Sequence, residues 1–141
     1  MKSFYIAFLV AVLAMSLVKA DIKSDLKKLQ KVCTEQSKAT PEELNTYFGK
    51  GMQKQDATDA VKCHLKCMME QNGYLKNGAI DQEYVLKIFE VIPALQDHMK
   101  GIAAAVEVCK NAKGVNACDT AFKITDCFIN TKSGKLAIAS Y

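Results

Sequence analysis

Tryptophan is absent from this chain of 141 residues, and proline and histidine occur only twice each. With no Trp, intrinsic tryptophan quenching cannot report binding. With two prolines there is no polyproline spacer or Pro-rich linker. Two histidines, His64 and His98, leave little material for acid–base or metal chemistry. No G-x-S-x-G, P-loop or G-x-G-x-x-G run is present. A secreted phospholipase needs a His in a double-cysteine context with a Gly-rich calcium loop, and His64 has neither. His98 follows Asp97, but adjacent helix positions do not face each other. The reading is therefore not an enzyme, with no catalytic residue and no cofactor. Alternating apolar/polar runs are missing too, so no strand is expected. No N-x-Ser/Thr sequon occurs, and no Lys/Arg block is long enough for a binding tail. Nucleic acid is excluded as a partner on the same ground.

One long apolar run is present, at the very start. Lys2 precedes residues 4–18, where Ser16 is the one clearly polar residue, and Val18-Lys19-Ala20 follows. A positive start, an apolar core and an A-x-A-like end make a secretory signal peptide over residues 1–20. The apolar stretch is short of the roughly 20 residues of a membrane helix, so no membrane span is expected. The mature domain, residues 21–141, then has 17 bases against 15 acids, since the leader removes Lys2 and Lys19 from 19. Its net charge of +2 (17 − 15) predicts no strong field.

Helical periodicity fills the rest. Ile22, Leu26, Leu29 and Cys33 share a stripe over residues 22–36. Thr40-Pro41-Glu42-Glu43 is a capping box with Pro in the first turn, opening a helix to about Phe48 that Gly49 and Gly51 end. Asp56 opens another to Gln71, ended by Asn72-Gly73, with a loop to Gly78. Asp81 caps a helix carrying Tyr84, Val85, Ile88 and Phe89. Pro93 starts a longer one with the stripe Leu95, Met99, Ile102, Val106 and Cys109, broken by Gly114. A last helix runs from about Asn116 to Thr131, and Ser133-Gly134 releases a short apolar tail. The expectation is an all-α domain of six helices.

All six cysteines, 33, 63, 67, 109, 118 and 127, lie after the leader. An even count in a small exported chain reads as a disulfide framework. Cys63 and Cys67 are i,i+4 on one helix, with Cβ atoms about 5–6 Å apart, too far for the roughly 3.5–4.5 Å of a disulfide. Cys118 and Cys127, nine residues apart, fall on opposite faces of theirs, about 13 Å apart along the axis. Neither pair can bond internally, which leaves ten of the fifteen pairings open. The last helix is thus tethered on both sides, and Phe122, Ile124, Phe128 and Ile129 make both faces apolar, so it is expected to be central. Cys63-His64-x-x-Cys67 has the look of a metal site. Structural zinc wants four ligands at closer paired spacings, and export favours oxidation, so no metal is expected.

The spacing C-x29-C-x3-C-x41-C-x8-C-x8-C resembles the six-cysteine signature of insect odorant-binding proteins, the pheromone and general odorant-binding type. The x3 and final x8 gaps carry the likeness, which covers essentially the whole mature chain. The resemblance implies the pairs Cys33–Cys67, Cys63–Cys118 and Cys109–Cys127, and a compact six-helix fold around an internal apolar cavity. It implies a secreted, extracellular carrier of odorants or pheromones, in sensory lymph if olfactory. The partner would be a volatile alcohol, aldehyde, ester or fatty acid, with an olfactory receptor as a further candidate and a monomer or weak homodimer as the state. Candidate lining residues are Met68, Met69, Tyr74, Ile80, Tyr84, Ile88, Ile92, Met99, Ile102, Phe122 and Phe128, each of which also reads as ordinary core. In some members a C-terminal segment closes the pocket, and Leu136, Ile138 and Tyr141 are the matching lid candidates here. Members often release ligand in acid, which makes His64 and His98 candidate pH switches. The alternative reading is a secreted interaction or defence protein on the same scaffold, because a fold does not set the job.

Overall fold

The computed structural model describes Asp25 and residues 27–140. The chain divides into two units, Met1–Val32 and Cys33–Tyr141. In the first unit, Asp25 and residues 27–32 are helical, and Lys28 lies 3.7 Å from the Asp25 carboxylate. The expected leader, with Ile22 and Leu26 of the first stripe, lies outside the described residues.

The second unit opens on helical residues 33–37 (α1). Helix α2, Pro41–Gly49, starts as its capping box requires. The Glu43 amide donates to Thr40 Oγ1 at 3.2 Å and the Thr40 amide to the Glu43 carboxylate at 2.8 Å. The Thr40 amide, with the Thr58 and Thr40 hydroxyls, holds the Glu43 carboxyl below its usual range. Gly51 and Met52, at φ +79° and +59°, then turn the chain. A 3₁₀ turn over Lys54–Asp56 precedes α3, Asp59–Gln71. Asp56 does not open α3 as expected. Thr58 does, because its hydroxyl accepts the Val61 amide, while Asp56 closes the 3₁₀ turn through its amide on Gln53.

The expected loop to Gly78 contains a minimal hairpin, with Leu75–Lys76 (β1) antiparallel to Ala79–Ile80 (β2). Two-residue strands are too short to show alternation. The dipeptide Asn77-Gly78, both at positive φ, is the turn chemistry that favours tight hairpins. Asp81 caps α4, Gln82–Glu90, accepting the Tyr84 amide at 3.0 Å.

Pro93 starts a 3₁₀ helix, Pro93–His98, and α5 runs only over Met99–Cys109. The expected stripe therefore spans both segments, and Leu95, Ile102, Val106 and Cys109 are all buried. Gly114 lies five residues beyond α5 and does not end it. Its role is at the next helix, where its amide donates to Thr120 Oγ1 and a Cβ would overlap the Asp119–Thr120 backbone.

Helix α6, Ala117–Asn130, is capped by Asn116. It packs against α3, α5 and α7, in the central place its two apolar faces require. The tail after it is a helix rather than a released segment. Thr131 ends α6 and caps α7, Lys132–Ala139, accepting the Gly134 amide at 2.9 Å. The described residues thus form seven helices where six were expected. Ala137 of α7 is fully buried with Val85, Leu95, Ile102 and Val106, so packing, not propensity, holds this short helix.

Three disulfides join these elements, Cys33–Cys67, Cys63–Cys118 and Cys109–Cys127, with Cα separations of 5.5, 4.5 and 5.6 Å. All lie in the range a disulfide spans without backbone movement. They tie α1 to α3, α3 to α6 and α5 to α6.

Candidate functional site

The helices line an apolar pocket of about 410 Å³ that is partly open to solvent, toward the small end of ligand cavities. Helical spacing brings its walls together. Leu65 and Met69 of α3 are i,i+4; Val85, Ile88 and Phe89 of α4 are i, i+3, i+4; Val106 and Cys109 of α5 are i,i+3. Helix α6 contributes Ile124, Thr125, Phe128 and Ile129 from one face. Tyr74 and Ile80 come from the hairpin region, Phe48 from α2, Met52 from the turn after it, and Ile138 from α7. Phe89 and Phe128 stack with centroids 5.8 Å apart, joining α4 to α6 across one wall.

No charged residue lines this pocket. The Thr125 hydroxyl donates to the Ala121 carbonyl at 3.0 Å and lies 3.4 Å from the Met69 sulfur, so its proton is already engaged. Such a site recognises shape and apolar area. Each Å² of apolar ligand surface removed from water contributes about 25 cal/mol.

A recess of about 540 Å³ abuts the pocket and differs in chemistry. Phe48, Met52, Ile129 and Ile138 line both. The rest of the recess is Gly51, Gln53, Lys54, Gln55, Asp126, Asn130, Lys135 and Ala139.

Five of the eleven expected lining residues line the apolar pocket: Met69, Tyr74, Ile80, Ile88 and Phe128. Six lie elsewhere. Met68 is one step of about 100° from Met69 and faces away. Tyr84 is exposed, with its ring over Gly73 and 5.7 Å from the Lys76 ammonium. Ile92 and Met99 pack against the core around Leu95, in which Ile102 is fully buried. Phe122 belongs to a second core with Tyr47, Val61 and Leu65.

Of the lid candidates, Ile138 lines the pocket, Leu136 does not, and Tyr141 lies outside the described residues. His98 is exposed at the end of the 3₁₀ helix. His64 is buried on α3, with its ring 6.4 Å from Phe48. Burial pushes its pKa below 6.5, against a hydrogen bond to the Cys33 backbone that raises it. Among the described residues, no cluster of three or more His, Cys, Asp or Glu is placed to hold a metal, and Cys63 and Cys67 are bonded to other partners.

Sequence reasoning missed Phe48, Met52, Leu65, Val85, Phe89, Val106, Ile124, Thr125 and Ile129. Val85 and Phe89 carried a signal, since both share the Ile88 face of α4. Phe48 and Met52 carried none, because a positive-φ turn brings them to the pocket.

Residues 16–131 match the model of the PBP/GOBP family. General odorant-binding protein 56a of Drosophila melanogaster is 36% identical over 126 residues, spanning 89% of this chain and 86% of that protein. Among solved structures, fatty acid binding protein OBP56a from the oral disk of the blowfly Phormia regina superposes with a TM-score of 0.61 at 32% identity, over 77% of this chain and 89% of that one. Odorant binding protein 5 of Apis mellifera, with a TM-score of 0.63 at 20% identity over 83% and 93%, shares the fold.

Proposed function

The chain belongs to the PBP/GOBP family of odorant-binding proteins, and from that premise we propose that it is a secreted carrier whose apolar pocket holds one small oily molecule. The family is one of carriers, not enzymes. The observation that carries the reading is the pocket lining, sixteen residues with no charge, in which Thr125 and Tyr74 bring the hydroxyls among aliphatic and aromatic groups. A volatile or a fatty chain gains there by leaving water, and no group is poised to do chemistry on it. The fatty acid named for the blowfly relative makes fatty acids the first ligand class to try.

Secretion rests on the apolar leader with its small-residue end and on three disulfides, which persist in oxidising compartments. Among the described residues no helix is long and apolar enough to cross a membrane.

The test is displacement of the probe N-phenyl-1-naphthylamine by alcohols, aldehydes, esters and fatty acids of matched length. Saturable displacement at micromolar concentration is expected for at least one class. A bulky residue in the pocket, Ile88→Trp, should abolish it while the far-UV spectrum stays helical. If no apolar ligand displaces the probe, the carrier reading falls and the alternative of an interaction or defence protein stands.

A further inference from the structure

The recess beside the pocket is polar on one side and shares its apolar side with the pocket. Phe48, Met52 and Ile138 are three of the four residues that form the partition. Phe48 and Ile138 are each more than two-fifths exposed, and Met52 has a flexible, unbranched side chain. A partition of this kind gives way more readily than a packed core. Beyond it stand two lysines, Lys54 and Lys135. Ion pairs among the described residues engage lysines such as Lys62, Lys66, Lys76 and Lys110, and none of these pairs includes Lys54 or Lys135. Asp126 is the one acid in the recess lining, and its carboxylate accepts a bond from Asn130 at 3.1 Å.

We propose that this rim is a head-group subsite for an anionic amphiphile: the alkyl chain lies in the apolar pocket, crosses the partition at Met52, and places its carboxylate between Lys54 and Lys135. The idea rests on the carrier reading and deepens it, since it names the residues that choose acids over neutral ligands of the same length. The apolar pocket itself holds no charge with which to favour a carboxylate. Two lysines against one aspartate leave the rim with one net positive charge. Both lysines are exposed, so the preference is modest and falls as salt screens it.

The test compares dodecanoate, dodecanol and methyl dodecanoate by probe displacement near neutral pH, at low and high salt. The wild-type protein should favour the acid, and added salt should erode that preference. Substituting both lysines (Lys54→Gln with Lys135→Gln) should weaken the acid roughly three- to tenfold and leave the alcohol and ester unchanged. The opposite charge change, Asp126→Asn, should strengthen the acid alone. Both changes are at the surface or isosteric, and unaltered alcohol affinity checks the fold. If the lysine variant weakens all three ligands equally, or none, the subsite is overturned while the carrier reading stands. If none of the three displaces the probe from the wild-type protein, the carrier reading fails and the subsite with it.

Discussion

Helices α3, α5 and α6 carry five of the six cysteines, whereas α2, α4 and α7 carry none. Both sets line the pocket. Leu65, Met69, Val106, Ile124 and Phe128 stand on stapled helices, and Phe48, Val85, Ile88, Phe89 and Ile138 on unstapled ones. A cavity has no partner atoms on its open side, so its walls forgo the dispersion contacts that fill an ordinary core. Cross-links on one wall keep that wall in place when the pocket is empty. The other wall carries no disulfide and rests on packing and hydrogen bonds, as in the Phe89–Phe128 stack, the Lys110–Gln82 bond and the burial of Ala137. Elements held this way open at lower free energy. The contrast assigns the fixed geometry of the pocket to one set of helices and access to the other.

The largest effect should come from breaking the staples. The paired change Cys63→Ala with Cys118→Ala opens a loop with a sequence separation of 55, and chain entropy puts the loss at about 4 kcal/mol. Cys109→Ala with Cys127→Ala opens one of 18, and should cost about 1 kcal/mol less. Urea unfolding of the two oxidised variants measures the difference. Equal losses would mean that packing around α6, and not loop length, sets the strength of the staples.

A smaller effect, on the unstapled wall, should come from Gly134→Ala. A Cβ at this position overlaps the Phe128 carbonyl, so α7 must shift away from α6. Forced shifts of this sort cost about 1–3 kcal/mol, and Ile138 moves with the helix. Probe affinity should fall although all three bridges are intact, while Lys132→Ala at the exposed start of α7 should change neither quantity. Unchanged affinity in a destabilised Gly134→Ala protein would separate α7 from the pocket.

The same division marks what the sequence made legible. The all-α class, the caps at Thr40 and Asp81 and the central place of the last helix all follow from local chemistry or from helix geometry. Geometry alone left ten pairings for the cysteines, and the family resemblance implied the three bonds seen. The unstapled wall was harder. Helix α7 contains Ser133 and Gly134, which read as a stop, and the Thr131 cap together with tertiary burial of Ala137 overrides them. Phe122 and Ile102 looked like lining because an apolar helix position does not say whether it meets a neighbour or a void. Met68 and Met69 could not be told apart without knowing which way α3 is turned. Periodicity finds a buried face, whereas a cavity is a property of several faces together.

The smallest effect should be a pH dependence at the junction of the two sets. His64 sits on stapled α3 beside the Cys33 backbone, with its Nδ1 buried and unpartnered and the Phe48 ring of unstapled α2 at 6.4 Å. Burial lowers its folded pKa below 6.5, while in the unfolded chain it titrates near the ordinary histidine value. Just below that value the unfolded chain binds more protons than the folded one, so stability rises with pH there. The contribution is complete above about pH 6.5 and is lost as pH falls toward the folded pKa. Asp119, whose carboxyl is held below 3.8 by the Val115 amide and by Lys123 and Lys62, loses its contribution only at more acid pH. The window just below pH 6.5 therefore belongs to His64. Tm measured at about pH 7.5 and about pH 5.5 should fall in the wild-type protein and fall less in His64→Gln. If probe affinity falls over the same window in the wild-type protein alone, charging His64 loosens the α2 side of the pocket. If Tm falls and affinity does not, the titration acts on the stapled side and leaves the pocket wall at Phe48 in place.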